Sequence, residues 1–262
     1  MKANSLFVAI LAVAFIVLLL LLGIVGVILL ARKQRLSQQL KEANLQSRIN
    51  DVNFAALRSQ MNPHFIFNCL NSIKLYTEQN NNEAASEYLS MFAQLIRSSL
   101  DNARREKVIL SEEIATIELY LRLEAMRFKE KLLYEVAVDK NVDVDFIELP
   151  PMMIQPYIEN AIWHGLMHKK EGGNINVHFA QLDNNSLLQI TITDNGIGRL
   201  KAAELKSKTA EKHKSYGTQI TGERIALINE KYQLSAEVKT TDLYNDLSQP
   251  SGTLITIKLP IK

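Results

Sequence analysis

Residues 151–165 read PMMIQPYIENAIWHG, and residues 191–198 read TITDNGIG. The first stretch is expected to be a helix that sets a carboxylate, Glu159, beside a neutral amide, Asn160. The second is an apolar-alternating run that ends in Asp194, Asn195, Gly196 and Gly198, residue types that favour turns. One predicted strand and part of a second lie between them. A lone D-x-G-x-G carries little information, because Asp and Gly are common wherever strands end. The weight comes from its pairing with E-N-A on an upstream helix.

Working outward, strands are expected at Leu133–Val138, Ile175–Gln181, Leu187–Thr193, Ala236–Thr241 and Thr253–Leu259. Helices are expected at 151–166 and 217–231. Strands clustered late in the chain, with helices between them, predict a mixed sheet covered on one face by helices over residues 131–262. Before this α/β region the chain reads as helix. A helix is expected to run to about Glu78, disturbed at Pro63, which lacks an N–H and crowds the carbonyl of Ser59. The turn-formers Gln79–Asn82 follow, then a second helix with Tyr88, Phe92, Leu95 and Ser99 on one stripe. So short a connection predicts an antiparallel hairpin, and two hairpins burying their stripes as a four-helix bundle predict a homodimer. Ser111 is the expected N-cap of a third helix, with Glu112 and Glu113 in its first turn and Ile114, Ile117, Leu121, Ala125 and Phe128 on its buried face.

The N-terminus differs in kind. Residues 6–31 contain no charge and as a helix reach about 39 Å, enough to cross an apolar membrane core of about 30 Å. A signal peptide is the rival reading, but its apolar region is usually shorter and no clear cleavage site follows. Arg32, Lys33 and Arg35 come at once after the span, so the positive-inside bias places the C-terminal bulk in the cytoplasm and leaves residues 1–5 outside. Residues 32–56 are a polar stalk in which Leu45, Ile49, Val52 and Ala56 form a short coiled-coil-like seam. With 30 basic and 28 acidic residues the net charge is +2, which gives no reason to propose nucleic acid as a direct partner. The single Cys69 excludes an internal disulfide and a multi-cysteine zinc site.

One histidine stands out by its surroundings. Residues 57–72 read LRSQMNPHFIFNCLNS. On a helix His64, Asn68 and Asn71 share one face, while Ile66, Leu70 and Ile73 fall on a different, apolar face. A neutral imidazole is nucleophilic near pH 7. The run Asn62-Pro63-His64-Phe65-Ile66-Phe67-Asn68 resembles, at every position, the phosphoacceptor segment of the LytS-like sensor histidine kinases. The stretch SEEIATIELYLRLEAMRF resembles the linking helix of that family, with Glu113, Tyr120 and Arg127 in the usual places. Arg127 has no role legible from the residues beyond an ion pair, and a solvated charged face explains it as well. The resemblance implies dimerisation and phosphotransfer helices over 57–130.

E-N-A with D-N-G-I-G resembles the ATPase fold shared by histidine kinases, gyrase-type topoisomerases, MutL-type repair proteins and Hsp90 chaperones, the GHKL or Bergerat α/β sandwich. The chemistry fits. An ionised Asp194 accepts a hydrogen bond from the exocyclic amine of adenine, whereas guanine sets a carbonyl against it, so ATP is expected over GTP. Gly196 and Gly198 allow close approach and positive φ where the chain turns into a lid. Asn160 offers a neutral oxygen suited to Mg²⁺. Glu159 has two readings, help in deprotonating the imidazole or support of the fold. Trp163 departs from the lysine often found three residues after the asparagine. Arg199–Tyr216 is the expected lid, basic enough to attract triphosphate. KSYGTQITGERIALIN resembles the second glycine box, with Gly217 and Thr218 toward the phosphates and Gln219 in place of a second glycine.

These resemblances imply a membrane-anchored, dimeric sensor histidine kinase that uses ATP and Mg²⁺ to phosphorylate itself on His64, then passes the phosphoryl group to a response regulator, expected to carry a LytTR-type domain. Two alternatives stand beside it: a GHKL-type ATPase switch without a phosphoprotein, and a pseudokinase scaffold at the membrane.

Overall fold

The computed structural model describes residues 28–41, 63–128, 131–169, 171–182, 186–208 and 235–261, plus 26, 43–44, 225–226 and 229–230. For Pro63 and His64 it describes the backbone alone. The chain divides into two compact units, Met1–Ile49 and Asn50–Lys262. In the first, residues 28–41 are helical and exposed throughout. Among the described residues no helix is long and apolar enough to cross a membrane, and the span expected at 6–31 falls almost wholly outside them. The seam from Leu45 to Ala56 also lies outside the described residues, as do Gly217 and Thr218.

The second unit begins with the hairpin, α1 (Pro63–Glu78) and α2 (Asn82–Ala103). Asn80 turns the chain at φ 55, a left-handed conformation that asparagine tolerates. Asn81 caps α2 by accepting the Ala84 N–H at 3.1 Å. The face of α1 that meets the rest of the unit is the one bearing Phe65 and Cys69. Phe65, Cys69 and Ser72 are buried, while Leu70 is 49% exposed. The cause is the placement of aromatic partners. Phe65 packs against Phe92 and Tyr120 at centroid distances of 6.2 and 5.5 Å, and the Tyr88 hydroxyl donates to Cys69 Sγ at 3.6 Å. Leu70 is thereby turned aside, while Ile73 on the same stripe stays partly buried against the core. On α2 the expected Tyr88, Leu95 and Ser99 are buried, together with Met91 and Asn102.

A short strand, β1 (Val108–Ile109), leads into α3 (Leu110–Arg127). Ser111 is not the N-cap. The cap position is Ile109, two residues earlier, no side chain caps the helix, and the first N–H groups find backbone acceptors instead: Leu110 N–H on the Ile147 carbonyl and Ser111 N–H on the Val144 carbonyl, at 2.8 and 2.9 Å. α3 is enclosed on more than one side. Ile117 and Leu121 are buried as expected, but so are Leu110, Tyr120, Leu123 and the carboxylates Glu113 and Glu124. Each large apolar side chain buried here contributes roughly 1.5–3 kcal/mol relative to exposure. The hairpin is mounted on this helix through Phe65 on Tyr120, through the Tyr76 hydroxyl donating to the Met126 carbonyl at 3.0 Å, and through the Arg122–Glu87 pair.

The remaining strands are β2 (Leu132–Val138), β3 (Glu148–Leu149), β4 (Gly173–Leu182), β5 (Leu187–Asp194), β6 (Glu237–Tyr244) and β7 (Pro250–Pro260). β1 and β3 pair as a small antiparallel ribbon. The others form one five-stranded sheet in the order β2-β4-β5-β7-β6, mixed as expected, with β2 parallel to β4 and the other pairs antiparallel. The strict alternation of β4, β5 and β7 puts Ile175, Val177, Phe179, Leu188, Ile190, Ile192, Ile255, Ile257 and Leu259 on one buried face. All five expected sheet strands are present, with no end moved by more than three residues.

Candidate functional site

The helix expected over 151–166 is three pieces. A turn at 151–154 contains Met152 in a left-handed conformation at φ 59. α4 (Gln155–Asn160) follows, and then a π-helical turn, Ala161–Leu166. A π-helix adds a residue per hydrogen-bonded ring, and such insertions are frequent at functional sites. Here the widened turn brings Gly165 against the D-N-G loop. The Ile197 N–H donates to the Gly165 carbonyl at 3.1 Å. A Cβ on Gly196 would lie 2.5 Å from Gly165 Cα, so only glycine at 196 allows the two backbones this close. Gly198 has φ +75, the positive value expected for it.

Asp194 ends β5 and is 5% exposed. Its Oδ1 accepts the Gly196 N–H at 2.8 Å. Burial pushes its carboxyl up to about 6, against hydrogen bonds from Gly196 and from Thr253 on β7 and the charge of Lys169. At pH 7 the group therefore remains mostly ionised and acceptor-only. The neighbouring Asn195 closes the turn onto β4, its Oδ1 accepting the Asn174 N–H at 2.8 Å. Thr253 and Gly165 belong to this site and were not singled out from sequence. Gly165 stood inside the quoted motif, but only the π-helical turn reveals its contact.

Glu159 and Asn160 sit at the end of α4, both half-buried. The Gln155 amide donates to Glu159 Oε1 at 3.1 Å. Burial pushes the Glu159 carboxyl up to about 8, with the Gln155 bond opposing and the Glu124 charge adding to the rise. Asn160 Nδ2 is buried with no hydrogen-bond partner, so hydrogen-bonding capacity at this amide is left for something outside the chain. Trp163, which stands where relatives often have a lysine, carries the Arg127 guanidinium 4.8 Å from its ring centroid. Arg127 is thus no solvated charge. It pairs with the buried Glu124 and also covers the Phe128 ring at 4.3 Å.

The start of the expected lid is helical rather than a loop, as α5 (Arg199–Lys208). Arg199 is engaged by a carboxylate. It makes a fork on Asp242 of β6, with Nε on Oδ1 and a terminal nitrogen on Oδ2, both at 2.7 Å. Two parallel charged bonds explain the preference. His64 lies in the first turn of α1, and Asn68 follows one turn on, half-buried.

The histidine kinase family model matches residues 52–132. Sensor protein LytS of Staphylococcus epidermidis is 30% identical over 225 residues, 86% of this chain and 36% of that protein. Sensor protein LytS of Bacillus subtilis is 33% identical over 161 residues, 61% of this chain and 26% of that protein. The uncharacterized protein YwpD of Bacillus subtilis is 34% identical over 197 residues, 75% of this chain and 68% of that protein. The chain belongs to the LytS-like histidine kinase family. It spans about a quarter to a third of the length of the LytS proteins it matches. Among solved structures, the mycobacterial sensor histidine kinase MprB is 21% identical with a TM-score of 0.40, covering 60% of this chain and 99% of that one. The histidine kinase domain of a blue-light activated kinase from Erythrobacter litoralis is 12% identical with a TM-score of 0.41, covering 82% and 96%.

Proposed function

We propose that the chain is the kinase portion of a two-component sensor. As a dimer it takes the γ-phosphoryl group of Mg-ATP onto His64 and hands it to an aspartate of a response regulator, of the kind with a LytTR domain. The observation that carries this reading is the bond from Ile197 N–H to the Gly165 carbonyl. It joins the E-N-A segment to the D-N-G turn beside buried Asp194, within the unit that holds the His64 helix. The experiment is incubation of purified residues 32–262 with γ-labelled ATP, beside the His64→Gln variant.

In this reading Asp194 accepts the exocyclic amine of adenine, and Gly196, with no side chain, lets the base lie close to the backbone. Asn160 would hold magnesium through its amide oxygen, and Gly217 and Thr218 would serve the phosphates. Magnesium, when bound, neutralises charge on the phosphate oxygens. A ring nitrogen of His64 attacks the γ-phosphorus, the bond to the β–γ bridging oxygen breaks, and ADP leaves. Asn68 orients the ring, and the ring proton passes to Glu159.

A proton acceptor must be ionised, and Glu159 titrates near 8. Its acid form dominates at pH 7 and is lost as pH rises through 8. The labelling rate at saturating ATP is therefore expected to rise about tenfold from pH 7 to pH 9. The raised value also means that this carboxyl favours folding at low pH and that its contribution is lost as pH climbs from 4.5 to about 8. Glu159→Gln is expected to be slow and flat across that range. An unchanged rate in this variant removes Glu159 from the mechanism.

The dimer is supported by what α1 and α2 leave uncovered. Phe67 and Leu70 are 63% and 49% exposed, and Leu89 and Leu100 are 51% and 36% exposed. On α2, Leu89, Phe92, Ile96 and Leu100 recur at helical spacing, a second apolar stripe beside the buried one. Two copies would bury both stripes in a four-helix bundle. Leu70→Glu with Leu100→Glu is expected to sediment as a monomer, and a dimer at wild-type strength would end the idea. The charge-free run 6–31 followed by Arg32, Lys33 and Arg35 supports a single-pass anchor with the kinase in the cytoplasm. Recovery of the full-length chain in the carbonate-soluble fraction would count against that anchor.

A further inference from the structure

The segment 151–166, which carries Glu159 and Asn160, is gripped at both ends by α3. At its start Glu113, 2% exposed, accepts the Met152 N–H at 3.1 Å. At its end Trp163 lies under Arg127, whose guanidinium touches the Phe128 ring as well. Glu124, 1% exposed, closes the Arg127 fork with Nε 2.9 Å from Oε2. Its other oxygen, Oε1, is buried with no hydrogen-bond partner.

A buried ion pair with one carboxylate oxygen unsatisfied is a poor source of stability, because desolvation offsets the attraction. A planar cation held on two rings and one carboxylate does something else. It fixes orientation as well as distance, which a flexible ammonium cannot do. Trp163 stands three residues after Asn160, so whatever fixes the indole fixes the end of the segment that bears the magnesium and proton-acceptor groups.

We propose that Arg127 is a positioning residue. Seated on Glu124 and stacked on Trp163, it sets the place of Glu159 and Asn160 for transfer to His64. The inference rests on the function proposed above. It assigns a task to Trp163 as well, the indole being the surface against which Arg127 holds the segment.

The test uses the full-length chain in mild detergent. The double variant Glu124→Met/Arg127→Met removes the pair and fills its volume, a swap that buried ion pairs commonly survive. The Mg-ATP dependence of labelling is then measured. The expected KM for ATP stays within about threefold of wild type while the maximal rate falls about tenfold or more, the signature of lost placement rather than lost binding. Arg127→Lys keeps the charge but not the planar stack, and a smaller split of the same kind is expected. A folded double variant whose maximal rate stays within about twofold of wild type overturns the proposal. If the double variant does not fold, the same result in Arg127→Lys overturns it.

Trp163 is the single tryptophan of the chain, so its emission reads this contact directly. Mg-ATP is expected to change the emission in wild type and to change it about half as much or less in the folded variant. If the wild-type chain takes no label, the proposed function fails, and the emission decides the inference alone. A halved response upholds it. An equal response, or none in wild type, overturns it.

Discussion

Replacing His64 by Gln is expected to abolish acid-labile labelling by γ-labelled ATP, a loss of about 10³-fold or more. An amide nitrogen is not nucleophilic, because its lone pair is delocalised into the carbonyl, whereas a neutral imidazole offers a free one. Gln is at least as good a helix former as His, so α1 should fold unchanged and the loss should be chemical. A thermal melt matching wild type, together with unchanged Mg-ATP affinity, separates chemistry from folding. Acid lability together with alkali stability of the wild-type label identifies a P–N bond, since a phosphoserine survives acid and an acyl phosphate does not survive alkali. Equal labelling of the variant would sink the reading of His64 as the acceptor, whatever the ATP pocket does.

The second large effect is expected at Gly196. A Cβ there would meet Gly165 Cα at 2.5 Å, the Gly165 carbonyl carbon at 2.6 Å and Asp194 Oδ1 at 2.8 Å. Two of the three are backbone atoms with no rotamer to change, so Gly196→Ala must separate the D-N-G turn from the π-helical turn. That motion breaks the Ile197–Gly165 bond and moves the carboxylate that would read adenine. Overpacking of this kind costs about 1–3 kcal/mol of stability. A displacement of roughly 1 Å can cost about 100-fold in function. Calorimetry with Mg-ATP at a temperature where the variant remains folded should show binding weakened by about that factor. Wild-type affinity in a folded Gly196→Ala chain would mean that nucleotide does not enter between these two segments.

The parts of the molecule that read correctly from sequence are those governed by local pattern. Alternation in Ile175–Gln181 and Leu187–Thr193 places one face of each strand in the core, and both strands are found with that face buried. Gln79–Asn82 turns the hairpin because asparagine tolerates the conformation required. What escaped the sequence was set by distant partners. Glu124 looks like any helical glutamate until Arg127, itself lying over Trp163, pairs with it. Ser111 looks like a cap, but carbonyls of Val144 and Ile147 reach the helix end instead. Which stripe of α1 goes inward was not legible because the helix has more apolar residues than one neighbour can cover, and its neighbours Tyr120 and Phe92 decide it. In the candidate site, Asp194, Gly196 and Gly198 announced themselves by residue type. The π-helical turn did not, since an inserted residue leaves no mark in an apolar pattern that continues through it.

The chain's only thiol is Cys69, fully buried and bonded by the Tyr88 hydroxyl, and burial pushes it up to about 11. A thiol that is both sealed and protonated reacts slowly with alkylating reagents. In practice the wild-type chain behaves as a thiol-free background. A cysteine placed at any exposed position becomes the one reactive handle, so spin labels, fluorophores and cross-linkers can be attached without first removing Cys69. The same seal makes Cys69 a clock. Its alkylation under native conditions can proceed only when α1 and α2 part, so the rate measures how often the hairpin opens.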